Sequence, residues 1–327
     1  MSQNLYFDEF YLFHCNIYLV KLSLRFINPK NHRKPEYTMK GIILAGGAGS
    51  RMYPISQLYS KQLTLIYDKP LIYYPLSILM LGGIKDILII SNEETIPFYK
   101  KLFSDGKHLG LNIEYALQSA PNGIAESFIL GADFIGNDGV TLILGDNIFY
   151  GKLDFFHRAL ERKSGATVFG YRVTDPERYG IVEFDETGKA ISIEEKPAKP
   201  RSNFAVPGLY VYDNSVVEIS KNLKPSPRGE LEITDVNNVY LKQGELNVEK
   251  ISRGVAWLDT GTPESLLQAS NFFGAIEDRQ GLKVACLEEI SLHMNFIDVD
   301  GFEKVIKAMP NCAYKEYLSK LHSDKKK

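Results

Sequence analysis

The chain has 327 residues, roughly two domains at ~150 residues each, and a fold of that size buries ~75% of its extended surface without staples. Hydrophobic residues at 44% and charged residues at 24% exclude a disordered, collagen-like or supercharged chain. With 38 basic and 40 acidic side chains the net charge is −2, so no overall field draws nucleic acid or an anionic membrane. An anionic ligand must then be held by a few placed cations and backbone amides.

Residues 1–38 stand apart: they hold eight Phe or Tyr and no Gly or Ala, and they end in the Pro-broken stretch Asn28–Pro35. They are expected to be a poorly ordered leader or the product of an upstream start codon. The alternative is a docking segment over an apolar patch. The run Phe10–Val20 is interrupted by His14 and Asn16 and follows two acids, so neither a signal peptide nor a span is expected. Cys15, Cys286 and Cys312 have no zinc or disulfide spacing, which suits a reducing cytoplasm.

From Met39 the pattern alternates short apolar strands with helices. Gly41–Ala45, Asp86–Ser91, Asn112–Leu117 and Val140–Leu144 read as buried strands. Tyr73–Leu81, Thr95–Phe103 and Ile124–Phe134 have helical spacing. This alternation predicts an α/β fold, a Rossmann-like, mostly parallel central sheet with helices on both faces. Ligands of such sheets sit beyond the carboxyl ends of the strands. After Gly165 the texture becomes a β-rich insert: Thr167–Val173, Gly180–Phe184, a hairpin turn at Asp185–Gly188, Ala190–Glu195 and Asn203–Tyr212. Helices follow at Glu232–Lys242, at Pro263–Asp278 behind a Thr cap, and over Leu287–Leu321.

The first strand runs into Leu44-Ala-Gly-Gly-Ala-Gly-Ser-Arg51. Its glycines let backbone N–H groups approach an anion, and Arg51 adds a fork of donors suited to phosphate. It lacks the Lys-Ser/Thr of a P-loop and the last Gly of a dinucleotide fingerprint, and alone it is equally a structural turn. Ser60-Lys-Gln-Leu63 and Tyr67-Asp-Lys-Pro-Leu-Ile-Tyr-Tyr-Pro-Leu-Ser77 follow. Later come Leu144-Gly-Asp-Asn147, Asp175–Phe184, Glu194-Glu-Lys-Pro197, Lys224–Asp235 and Trp257-Leu-Asp-Thr-Gly261. In this order the set resembles the bacterial glucose-1-phosphate thymidylyltransferases, from Lys40 to about Cys286.

The resemblance implies Mg²⁺-dependent transfer of dTMP from dTTP to α-D-glucose 1-phosphate, giving dTDP-glucose and pyrophosphate, a first step toward dTDP-sugars such as dTDP-rhamnose. Such a displacement between two anions is mostly positioning and charge stabilisation. By resemblance Arg51 and Lys61 are triphosphate cations, and Leu44, Gly46, Gly47, Ser50 and Gln62 line the nucleotide. Gln118, Pro121 and Gly123 match the base-reading loop, although Pro-Asn-Gly is also a good turn. Asp146 and Asp259 match the metal ligands, although a lone Asp before a turn is usually a cap. If both meet one ion, Trp257–Gly261 must fold back over the carboxyl edge of the sheet.

Glu195 and Lys196, expected on opposite faces of a strand, match a sugar-hydroxyl and a sugar-phosphate contact. A solvated charged strand is the plain alternative. Asn147, Tyr179, Gly180, Val206, Arg228 and Trp257 match further sugar-phosphate contacts. Ala48, Ser50 and Thr64-Leu65 depart from the usual wording, and the match fades at Leu292–Met309. The expected organisation is a catalytic unit over 39–285, split into a nucleotide half at 39–164 and a sugar-phosphate half at 165–260. The helical segment 286–327 is expected to serve a homotetramer and a second site for feedback by a dTDP-sugar. Partners are dTTP and glucose 1-phosphate, with no nucleic acid and no membrane. Two rival readings are a pyrophosphorylase for UTP or another sugar 1-phosphate, and a non-catalytic regulatory subunit. Intact Arg51, Lys61, Asp146, Lys196 and Asp259 argue against the second, and no Asp-x-Asp at a strand end supports a metal-dependent glycosyltransferase.

Overall fold

The computed structural model describes residues 38–47 and 49–325. The expected leader, apart from Thr38, and the departure at Ala48 lie outside them. The first strands are β1 (Met39–Leu44), β2 (Leu65–Ile66) and β3 (Lys69–Pro70), followed by helix α1 (Tyr73–Leu81) and β4 (Asp86–Ser91). Next come α2 (Ile96–Phe103), β5 (Asn112–Leu117), α3 (Glu126–Leu130), α4 (Ala132–Ile135), β6 (Gly139–Leu144), β7 (Asn147–Tyr150) and α5 (Asp154–Leu160). The second half holds β8 (Ala166–Arg172), β9 (Gly180–Phe184), β10 (Ala190–Glu195), β11 (Phe204–Ala205), β12 (Leu209–Tyr212), α6 (Ser215–Lys221) and α7 (Ile233–Gln243). It closes with β13 (Leu246–Lys250), β14 (Ala256–Asp259), α8 (Pro263–Gln280), α9 (Leu287–His293), α10 (Val299–Ala308) and α11 (Ala313–Lys325).

Ten strands make one mixed sheet in the order β10-β9-β11-β8-β12-β6-β1-β4-β5, with β13 on β8. β6, β1, β4 and β5 are parallel, as their apolar runs predict for strands buried on both faces. β12 reverses direction against both β6 and β8, and the strands beyond are mostly antiparallel. The α/β sheet is therefore as expected. Its two apolar faces form separate clusters, one around Ile43, Leu79 and Phe156, the other around Ile42, Phe128 and Tyr212.

Three expected elements are interrupted. The helix over 124–134 splits at Gly131, which lies at φ −90°, ψ 7° and packs so close to β1 that a Cβ would come within 3.0 Å of Ile42 Cδ1. The strand over 203–212 splits because Pro207 has no N–H for a ladder and Gly208 sends its N–H to Asn147 Oδ1, at 3.0 Å. The C-terminal stretch is three helices: Asn295 turns the chain at φ 55°, Asp298 caps α10 by accepting from Gly301 N at 2.7 Å, and Pro310 follows its end. Among the described residues no helix is long and apolar enough to cross a membrane.

α8 begins with a capping box at Thr262 and Ser265. It packs through buried Phe273, whose ring centroid lies 4.7 Å from that of Tyr74 and 5.9 Å from that of Tyr150. Truncation there removes a buried ring between β7 and α1. Phe273→Ala is expected to cost about 3–5 kcal/mol, seen as a lower urea midpoint at unchanged m-value.

Candidate active site

β1 ends at Leu44, and Gly46 and Gly47 follow beyond the carboxyl edge of the sheet. Gly47 and Gly49 take φ +101° and +56°, which glycine adopts without a Cβ penalty. Ser50 and Arg51 then lie in a 3-10 turn, as do Lys61 and Gln62 in a second one at Lys61–Leu63. Buried Gln62 donates from Nε2 to Gly46 O at 3.4 Å, tying the Lys61 turn to the glycine loop.

Asp146 sits in the turn from β6 to β7, and Asp259 closes β14. β14 returns antiparallel to β7, with Asp259 opposite Asn147, and Thr260 bonds Asp146 O through its N (3.1 Å) and Oγ1 (2.7 Å). Two acids 113 positions apart thus share one corner. Burial pushes both carboxyls up, with opposite outcomes. Lys61 pairs with Asp146 Oδ2, and Asn147 Nδ2 donates to Oδ1 at 2.9 Å, so Asp146 titrates below the ordinary range. For Asp259 the charge of Asp146 adds to burial, and Lys61, Arg51 and Arg178 only partly offset them, so it titrates above that range. Arg51 leans over the next turn, where a Cβ on Gly261 would lie 3.2 Å from its guanidinium.

Among the described residues no third Asp, Glu, His or Cys completes a metal-binding group there. Two hard carboxylates that repel each other fit a divalent cation that takes its other ligands from phosphate and water. Asn147 binds the corner together: its Oδ1 accepts from Trp257 Nε1 at 2.7 Å and from Gly208 N at 3.0 Å. Trp257 also meets Tyr179 edge-on, at 5.1 Å between ring centroids.

Of the residues expected on the sugar side, Glu195, Lys196 and Arg228 line a cleft of about 670 Å³ together with Glu232 and Thr234, whereas Asn147, Tyr179, Gly180, Val206 and Trp257 are not among its lining residues. Glu195 Oε2 accepts from Thr234 Oγ1 at 2.7 Å, under Gly180. The expectation that Glu195 and Lys196 face opposite sides is wrong. Lys196 leaves the strand at φ 45°, which breaks the alternation and brings its Nζ to 3.5 Å from Glu195 Oε1. Val206 N donates to Gly180 O at 2.8 Å, joining the end of β11 to β9.

The base-side loop follows β5. Gln118 Nε2 donates to Glu126 Oε2 at 2.8 Å, and Pro121 leads to Gly123 at φ +107°. A Cβ on Gly123 would lie 2.4 Å from Leu231 O, so only glycine fits. Leu231 in turn donates to Asn122 O at 2.7 Å and accepts from Ala125 N at 3.1 Å. The loop after β5 and the 226–232 turn are therefore laced together.

Four residues escaped the sequence reading: Arg178, Tyr210, Glu232 and Thr234. Arg178 acts on Asp259, and the carboxylates of Glu195 and Asp146 add to burial in raising the Tyr210 hydroxyl. Glu232 and Thr234 line the cleft beside Arg228, and only the fold brings Arg178 toward Asp259 and Tyr210 toward Glu195 and Asp146.

The family model described as nucleotidyl transferase matches residues 40–275. A glucose-1-phosphate thymidylyltransferase of Neisseria meningitidis is 52% identical over 285 residues, covering 86% of this chain and 99% of that protein. One of Xanthomonas campestris is 53% identical over 284 residues, 86% of this chain and 96% of the other. A solved structure of a candidate glucose-1-phosphate thymidylyltransferase from Bacillus anthracis, in complex with a sucrose, superposes with TM-score 0.68. It shares 43% identity and covers 72% of this chain and 95% of its own.

The two carboxylates predict opposite stability changes. Folding raises the proton affinity of Asp259, so its stabilisation is complete below the unfolded carboxyl range and lost as pH rises through the folded one. Asp259→Asn should therefore raise the melting temperature of the ligand-free protein at neutral pH. Asp146 gains stability above the unfolded range and loses it as pH falls, so Asp146→Asn should lower the melting temperature by stranding Lys61. Calorimetric scans at neutral pH read both signs.

Proposed function

This chain belongs to the nucleotidyl transferase family, and we propose that it transfers dTMP from dTTP to α-D-glucose 1-phosphate, releasing pyrophosphate. The carrying observation is the corner shared by Asp146 and Asp259, with cations from three separate loops around it. The names of relatives at 52–53% identity support the same substrates.

A phosphate oxygen of glucose 1-phosphate attacks the α-phosphorus of dTTP. The bond from that phosphorus to the bridging oxygen breaks, and pyrophosphate leaves with the electron pair. The nucleophile is already an anion, so no residue has to take a proton from it. Gln118 and the Gly123 backbone read the base, while the glycine loop and Gln62 hold the nucleotide. Glu195 accepts from sugar hydroxyls, and Lys196 and Arg228 take the sugar phosphate. Asp146 and Asp259 would hold Mg²⁺, which supplies positive charge to the α-phosphate when bound. Lys61 gives up part of its pairing with Asp146 to face the triphosphate, and Arg51 meets the charge that builds on the departing pyrophosphate. The proposed enzyme is cytoplasmic and homotetrameric, with feedback by a dTDP-sugar.

Pyrophosphate release with glucose 1-phosphate and dTTP, UTP, ATP or GTP in parallel tests the reading. Turnover should be highest with dTTP and lowest with the purine nucleotides. No turnover with any of them favours the regulatory-subunit reading. Arg51→Ala should lower kcat roughly a hundredfold to a thousandfold, with a much smaller change in KM for glucose 1-phosphate. An unchanged kcat would remove Arg51 from the triphosphate.

A further inference from the structure

Three carboxylates flank the Arg228 guanidinium, and they are not equivalent; Glu230 Oε2 stands 3.9 Å from Nη2 on a side chain that is 39% exposed. Glu232 accepts from Nε at 3.2 Å and from Nη2 at 2.9 Å on each of its oxygens. Glu195 Oε1 stands 3.9 Å from the same Nη2, and the other oxygen of Glu195 is taken by Thr234. The Glu232 side chain is 13% exposed against 48% for Arg228, a fixed post beside a long, half-solvated arm.

The post is itself held on two sides. Ser226 Oγ donates to Glu232 Oε1 at 2.7 Å and accepts from Arg228 N at 3.2 Å, closing the 226–232 turn on itself. On the other side Leu231, the residue before Glu232, is bonded through its backbone to Asn122 and Ala125. A guanidinium presents two edges that can each grip a carboxylate or phosphate. Glu232 occupies the edge formed by Nε and Nη2, and among the described residues no hydrogen bond or ion pair reaches Nη1.

We propose that Glu232 is a positioning residue that clamps the Nε edge of Arg228, so that the outer edge is held over the Glu195–Lys196 cleft for the phosphate of the incoming sugar phosphate. This rests on the reading of Arg228 as a cation for that phosphate. Glu232 touches no substrate and acts only through Arg228. It removes the rotamer search that a free arginine would have to complete on binding. Glu195 is thereby left for sugar hydroxyls instead of anchoring the arginine.

Steady-state kinetics of the full chain with both substrates varied tests this. Glu232→Gln should raise KM for glucose 1-phosphate about tenfold, leave KM for dTTP within about twofold, and lower kcat by less than KM rises. Glu232→Asp keeps the charge but stands one methylene short, and should fall between. Arg228→Ala should raise the same KM further, and adding Glu232→Gln to it should cost nothing more, because the clamp then has nothing to hold. Additive effects, equal rises in both KM values, or a silent Glu232→Gln beside a damaged Arg228→Ala would overturn the clamp alone. A silent Arg228→Ala would overturn the phosphate reading of Arg228 and the clamp with it. If Glu232→Gln does not fold by thermal melting, Ser226→Ala decides. It removes the hydroxyl that holds Glu232 and should raise KM for glucose 1-phosphate about threefold; an unchanged value counts against the clamp.

Discussion

The pairing of β7 with β14 imposes the condition that the rest of the site answers to. It brings Asp259 opposite Asn147 and so beside Asp146, two like charges in a largely desolvated corner. Folding would relieve that repulsion by separating them, and the backbone does not allow it. Thr260 bonds the Asp146 carbonyl twice, and Asn147 bridges Trp257, Gly208 and the Asp146 carboxylate. The charge is instead met by cations delivered from elsewhere: Lys61 from its 3-10 turn, Arg51 from the glycine loop and Arg178 from the insert. Functional sites often keep such unrelieved electrostatics, because the ligand completes them.

The sheet explains where the groove runs. β6 and β1 are parallel, so their carboxyl ends carry Asp146 and the glycine loop to one edge. β12 is antiparallel to β6, so its amino end lies at that same edge and Gly208 can reach Asn147. The change of strand direction therefore joins the parallel half that carries the glycine loop to the mostly antiparallel half that carries the Glu195–Lys196 cleft, across a continuous sheet. Leu231 adds a second join on the far side, lacing the loop after β5 to the turn that carries Arg228 and Glu232. Displacement of either loop is felt by the other through main-chain bonds.

Several elements were legible from pattern alone. β4, β5 and α1 match their sequence-based boundaries residue for residue, each apolar run being closed at its carboxyl end by a Gly or a polar residue, Asn92, Gln118 and Gly82. β7, α5, α6, β13 and β14 were not read. β7 and β14 are four residues each, and their alternation is too short to stand out. The splits at Gly131 and at Pro207-Gly208 coincide with contacts made nearby. Local propensity cannot report a clash with Ile42 or a bond to Asn147.

The sequence by itself determined the parallel α/β half, the glycine loop with its cation, and the separate motifs that bear Lys61, Asp146, Glu195, Arg228 and Asp259. These follow from periodicity and from residue types whose chemistry is local. Only the tertiary structure decided that Asp259 meets Asp146, that Lys196 turns into the cleft beside Glu195, and that Glu232 grips Arg228. Each is a relation of distance and sign of charge. It is fixed by strand register, by one left-handed residue or by a turn closed on a hydroxyl, and none of these has a signature in the order of the residues.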